Sequence, residues 1–305
     1  MSSRFILYRN EREWPSVLEV LPESYTVLRG CGKQELLGKP ALGIIGARRC
    51  TPYGIAIAQM AGRIAAQSGV VVVSGGAMGC DYAATRAALD ASGEVIIVSG
   101  CGADAIYPKT SSDIFNEVKA GKGVVISCEA WGQAPRRYAF PKRNKLIAAL
   151  CRCLLVTEAG MPSGTFSTAQ AANDFGKTVY AAPGSIFSPQ SRGTNNLIES
   201  GACIITDEVA LETRLSLDFG KSRLVAQNTP QQVSKMLSAL IASPIRPDEL
   251  ALRLDQNILT IIRTLTEYEA KRLVQRLPDG RWCATAQTYM PPQFLEADLE
   301  KHDDT

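Results

Sequence analysis

The stretch Gly43-Ile44-Ile45-Gly46-Ala47-Arg48-Arg49-Cys50-Thr51-Pro52-Tyr53-Gly54 decides the fold. An apolar run ends in a glycine turn, and a helix follows with Thr51 as its N-cap and Pro52 at its first position. Outward from this stretch the same alternation repeats. Short β-branched runs stand at 42–45, 70–74, 95–99, 123–127, 153–157, 179–182 and 203–205, with helical patterns at 52–67, 80–91, 111–120, 142–150 and 167–175. Near-continuous apolar strands separated by helices predict a sheet covered on both faces, and therefore mostly parallel. The expected fold class is α/β, a Rossmann-like, doubly wound, mostly parallel sheet.

Composition agrees. The 305 residues are 46% hydrophobic and 21% charged, which excludes wholesale disorder, collagen and coiled coil. A formal charge of +3 from 33 basic and 30 acidic residues identifies no polyanion binder by its sum, so the placement of the cations matters more. The only histidine is His302, in an acidic tail, which leaves the body of the chain without a Ser-His-Asp triad, a Cys-His pair or a His-rich zinc site. The nine cysteines form no Cys-x-x-Cys and lie mostly in apolar runs, the usage expected in a reducing cytoplasm. No signal peptide and no spanning apolar run is read, so a soluble intracellular protein without metal or cofactor is expected.

Beyond 216–230, a stretch of mixed charge and weak periodicity, helices are expected at 231–243, 247–254 and 256–272. Strands at 273–277 and 281–284 flank Pro278-Asp279-Gly280, a hairpin turn signal. Three helices and a hairpin predict a small C-terminal winged-helix domain. The expected organisation is 1–40 as an N-terminal extension without a separate helical domain, 41–218 as the Rossmann-like domain, 219–230 as a linker, 231–288 as the winged helix and 289–305 as an acidic tail.

The polar punctuation follows strands directly and should collect at the carboxyl edge of the sheet, where open α/β folds bind ligands. Gly46 begins a turn that presents Arg48 and Arg49 before a helix N-terminus, an arrangement suited to phosphate although its spacing is not the dinucleotide fingerprint. Bound phosphate is the favoured reading of those arginines, with ordinary surface charge as the alternative. Gly75 and Gly76 form a second turn. Residues 136–152 hold Arg136, Arg137, Lys142, Arg143, Lys145 and Arg152 with no acid, interleaved with Tyr138, Phe140 and Asn144. Cations that track a phosphate backbone beside aromatic faces that stack on bases are the mark of single-stranded nucleic acid sites. Ser163, Gly164 and Thr165, and then Arg192, Thr194 and Asn195, offer further polar turns. Their hydroxyls can equally serve as plain caps.

Taken in order, Gly46-Ala47-Arg48, Ser74-Gly75-Gly76-Ala77-Met78-Gly79-Cys80-Asp81, Gly100-Cys101-Gly102-Ala103-Asp104 with Tyr107-Pro108, Phe140-Pro141-Lys142-Arg143-Asn144-Lys145, Ser163-Gly164-Thr165 and Arg192-Gly193-Thr194-Asn195 resemble the signature series of the DNA-processing protein A (DprA/Smf) family. The resemblance implies an extended Rossmann-like fold and a dimeric protein that binds single-stranded DNA in a basic pocket and helps load RecA recombinase during natural transformation. By position, Arg48, Lys142 and Arg143 would hold the strand, with Phe140 and Asn144 shaping the pocket. The chain departs from the family pattern at Met78, usually basic, and at Thr85, often histidine. The competing expectation is a nucleotide hydrolase of the related phosphoribohydrolase (lysine decarboxylase-like) group. Against it, the position of that group's catalytic glutamate is Thr168, whose hydroxyl cannot replace a carboxylate.

Overall fold

The computed structural model describes residues 3–222 and 235–289. The chain divides into two compact units, one built on a nine-stranded sheet and a smaller one that comprises Thr51–Ala56 and, among the described residues, 235–289. The sheet comprises β1 (Arg4–Tyr8), β2 (Val27–Gly32), β3 (Ala41–Ile45), β4 (Val71–Ser74), β5 (Val95–Val98), β6 (Gly123–Ser127), β7 (Cys151–Val156), β8 (Thr178–Ala181) and β9 (Cys203–Ile204). Its order is β1-β2-β6-β5-β4-β3-β7-β8-β9. From β6 to β9 every pair is parallel. Every residue of β3, β4, β5 and β6 is buried, as a sheet covered on both faces requires.

The first parallel strand, β3, lies between β4 and β7. The chain winds outward through β4, β5 and β6, then returns to pair β7 against β3, with Ile45 opposite Val156. The order therefore reverses at the β3/β7 boundary, the place where successive loops leave the sheet apart from one another and open a crevice.

Helices α1 (Pro52–Gln67), α2 (Cys80–Asp90), α3 (Ser112–Glu117), α4 (Ala139–Leu150), α5 (Thr165–Asp174), α6 (Arg192–Glu199) and α7 (Glu208–Phe219) complete the unit. The Thr51 hydroxyl accepts the Gly54 N–H at 3.3 Å, the expected N-cap. Three features differ from the sequence reading. Within the 1–40 extension, β1 and β2 lengthen the sheet by antiparallel pairing, Arg29 standing opposite Ser127. The polar turn at 192–196 is the opening of α6. Residues 216–219, a stretch of weak periodicity that reaches the expected linker at 219, finish α7, which Asp207 caps through the Ala210 N–H at 2.7 Å and Gly220 closes in the left-handed conformation.

The smaller unit has α8 (Lys235–Ala242), α9 (Pro247–Leu254), α10 (Ile258–Ala270) and the antiparallel pair β10 (Val274–Arg276) and β11 (Trp282–Ala284). Met236, Leu240, Leu250, Ile261, Leu265 and Val274 form its core. The Asp279-Gly280 turn is made as expected: Gly280 has φ +83° and the Asp279 carboxylate accepts the Arg281 N–H. The rest of the expected linker beyond 222, the start of the first C-terminal helix at 231–234 and the acidic tail lie outside the described residues. Among those described, no helix is long and apolar enough to cross a membrane.

Candidate nucleic-acid interface

A cleft of about 510 Å³ opens at the β3/β7 boundary. The loop after β3 supplies Gly46, Arg48 and Arg49. The N-terminal turns of α4 supply Phe140, Arg143 and Asn144, and the loop after β7 supplies Ser163, Gly164 and Thr165. The sequence reading began this helix at Lys142, but α4 begins at Ala139 and carries Pro141 in its first turn, where no intrahelical N–H bond is lost. The earlier start puts Phe140 three and four residues before Arg143 and Asn144, on one helical face.

Arg143 is the anchor of that face. Its guanidinium donates to the Gly75 carbonyl at 3.1 Å and to Asn144 Oδ1 at 3.0 Å, while the Gly75 N–H donates to the Asp81 carboxylate at 3.1 Å. The two sides of the Gly75 backbone thus link a half-buried cation to a buried anion. A Cβ at position 75 would stand 2.3 Å from the guanidinium, so only glycine allows this approach. Burial pushes the Asp81 carboxyl above the usual range, and the Arg143 charge opposes that rise. Burial lowers Arg143 in turn, with Asp81 holding it up; a guanidinium stays charged under such a shift.

Two cations stand close to the Phe140 ring, Arg48 at 5.1 Å and Arg143 at 6.0 Å from its centroid, with Tyr107 tilted against it at 6.1 Å. Such contacts hold guanidinium groups at an aromatic face without neutralising them. Asn144 donates to the Ser167 hydroxyl at 2.8 Å and ties α4 to α5. The Ser163 hydroxyl accepts the Thr165 N–H at 3.2 Å, and the Thr165 hydroxyl reaches the Gly46 carbonyl at 3.4 Å, joining the two loops across the boundary.

The remaining candidates stand elsewhere. Lys142 and Lys145 line a neighbouring recess of about 390 Å³ with Tyr25. Lys142 Nζ lies 5.4 Å from the Tyr25 ring, whose hydroxyl donates to the Lys142 carbonyl; burial pushes this phenol up to about 12. Gly75 and Gly76 are buried behind the Arg143 guanidinium and do not line the cleft. Arg192 is exposed at the start of α6, the Thr194 hydroxyl is buried against the Ser191 carbonyl, and Asn195 pairs in both directions with the Gly184 backbone at 3.0 Å. Thr194 and Asn195 therefore act as local ties. Met78 is exposed and Thr85 is wholly buried. The sequence reading missed Tyr25, which lies in a stretch without periodicity, and passed over Tyr107, although Tyr107-Pro108 is part of the recognised series.

A sequence profile of the family described as DNA recombination-mediator protein A matches residues 5–215. The protein Smf of Synechocystis is 33% identical over 228 residues, covering 73% of this chain and 56% of that protein. The crystal structure of DNA processing protein A from Streptococcus pneumoniae superposes with a TM-score of 0.64 at 32% identity, covering 69% of this chain and 73% of that one. The Helicobacter pylori protein of the same name, described for its single-stranded DNA binding mode, superposes with a TM-score of 0.64 at 30% identity, covering 72% of this chain and all of that one. The chain spans 56% and 61% of the length of the Synechocystis and S. pneumoniae curated relatives. With the profile matched across the whole sheet, from β1 through α7, this chain belongs to the DNA recombination-mediator protein A family.

Proposed function

We propose that the protein is a recombination mediator that binds single-stranded DNA at the N-terminal turns of α4, protects incoming strands and helps load RecA recombinase during natural transformation. The observation that carries this reading is the Phe140 ring with Arg48 and Arg143 close to it at the sheet's switch point. A base can stack on such a ring while the guanidiniums meet phosphates. The single-strand binding described for the H. pylori relative supports it. In this reading Arg48, Arg49, Phe140, Arg143 and Asn144 contact the strand in the cleft, and Lys142 and Lys145 continue its path past Tyr25. The turns at Gly46, Gly75, Gly76, Ser163, Gly164 and Thr165 hold these groups in place, with Arg192 as an outlying cation and Thr194 and Asn195 as its supports. The protein acts in the cytoplasm as a homodimer.

We read it as a binder rather than an enzyme. Thr168 is buried at the hydrolase glutamate position, and Asp81, the one acid lining the cleft among the described residues, already accepts the Gly75 N–H. Fluorescence anisotropy with labelled oligonucleotides tests the function. Binding is expected to favour single strands over duplex, with a log–log salt slope of roughly −0.7 per phosphate neutralised. Salt-insensitive affinity would overturn the reading.

The smaller unit is proposed to be a winged helix that serves partner contact or regulation. Glu267 and Glu269 stand beside Lys271 and Arg272 on or just after α10, and Glu267 is already paired with Arg263 at 3.2 Å, so no uninterrupted basic face is offered to phosphates. Truncation after Gly220 is expected to leave single-strand affinity within a few fold of the full chain, with folding checked by circular dichroism. A folded truncation that had lost most of its affinity would make the smaller unit part of the DNA site.

A further inference from the structure

Beside the cleft, three ligand-bearing side chains that the DNA reading does not use converge. The Sγ atoms of Cys50 and Cys80 and a carboxylate oxygen of Glu158 all lie within 4.8 Å of one another. Cys80 and Glu158 are buried and Cys50 is partly accessible. They come from three separate elements, the loop after β3, the first residue of α2 and the loop after β7. One residue draws these together. The Ala47 N–H donates to the Glu158 carbonyl at 2.8 Å, and the Ala47 carbonyl accepts the Cys80 N–H at 3.2 Å. Gly46 completes the approach, because a Cβ there would stand 2.8 Å from the Cys80 sulfur and 2.5 Å from the Thr157 hydroxyl. The backbone thus fixes where the three side chains start.

We propose that Cys50, Cys80 and Glu158 form a binding site for a thiophilic divalent cation of the zinc class. Two sulfurs and one carboxylate oxygen are a donor set that zinc accepts and that magnesium and calcium, which take oxygen ligands, do not. Zinc–sulfur bonds of about 2.3 Å and zinc–oxygen bonds of about 2.0–2.2 Å place tetrahedral ligands about 3.5–3.8 Å apart. The 4.8 Å limit on the present spacings exceeds this by about 1 Å, a difference within reach of small side-chain rotations. Binding replaces the two thiol protons with one Zn²⁺ and releases two H⁺, leaving a fourth position open to water or another oxygen ligand on the Cys50 side.

The hydrogen bond between the two thiols lowers Cys50 and raises Cys80, burial adds to the rise of Cys80, and Glu158 raises both. Asp81 acts on Cys50 in the same sense. A divalent cation there would displace the thiol protons and sit beside the Glu158 carboxylate.

The test is titration of the full-length, reduced protein with Co²⁺, whose thiolate-to-metal charge-transfer absorption reports sulfur ligation. One equivalent is expected to develop the band, and Zn²⁺ is expected to abolish it by displacement. Cys50→Ser, a change on an accessible loop, should weaken binding at least tenfold, and Cys50→Ala/Cys80→Ala should remove the band. Cys203→Ser, a change on β9, should leave it intact. Circular dichroism establishes that each variant is folded; if the double variant unfolds, Cys50→Ser carries the test alone. A folded wild type with no thiolate band, or a band undiminished in Cys50→Ser, would overturn the proposal.

Discussion

The Arg143→Ala protein is expected to lose about 3 kcal/mol of unfolding free energy at neutral pH, because removing the half-buried cation leaves the buried Asp81 carboxylate uncompensated. The lower end of the usual range applies, since the Gly75 backbone stands between Arg143 and Asp81. The loss should depend on pH. Asp81 is raised in the folded state, so its protonated form is the one the fold favours; that contribution is present below the unfolded carboxyl pKa and is lost as pH rises through the folded one. Without Arg143 the folded value climbs further. The variant's deficit should therefore be small in acid and grow towards pH 8. Urea denaturation at pH 5 and pH 8, repeated in an Asp81→Asn background, measures this. An equal deficit at both pH values with no relief from Asp81→Asn would mean that Arg143 acts through packing.

Phe140→Leu is expected to keep the fold and weaken single-strand binding by about 1–3 kcal/mol, the usual worth of one stacked base, or roughly 5- to 150-fold. Leucine retains most of the apolar bulk that the ring places against Gly100 and Tyr107 but has no π-face to offer a base or to hold Arg48. Oligonucleotide titration beside a thermal melt separates the two roles. Native affinity in the folded variant would show that the ring only packs.

The central strands were legible because burial on both faces writes them as unbroken β-branched runs, as in Val71-Val72-Val73 and Val95-Ile96-Ile97-Val98. The antiparallel edge was not. In β2 an arginine and two glycines interrupt the apolar pattern, and its identity as a strand depends on pairing with β6 and β1. Helix α6 was hidden by Gly193, Thr194 and Asn195, poor helix formers held by the Gly184 backbone and the Ser191 carbonyl. Within the cleft, Arg48, Phe140 and Arg143 were readable as residue types, but their sharing of one ring was not, because Pro141 pointed to a later start for α4. The same turn separates Lys142 and Lys145 onto the recess with Tyr25, a residue far away along the chain. Cys50, Cys80 and Glu158 are likewise distant in sequence and are brought together by the Ala47 backbone and the close approach at Gly46.

The central claim is that a single strand lies across the N-terminal turns of α4, over the cleft and the adjoining recess. Titration of the Arg48→Ala/Lys142→Ala protein with a single-stranded oligonucleotide over a range of salt tests it most directly, because each residue represents one of the two sites. The account predicts affinity at least tenfold weaker for every sequence and a salt slope shallower by about 1.4, two phosphate contacts at roughly 0.7 each. Unchanged affinity with an unchanged slope in the folded double variant would contradict it and place the DNA elsewhere.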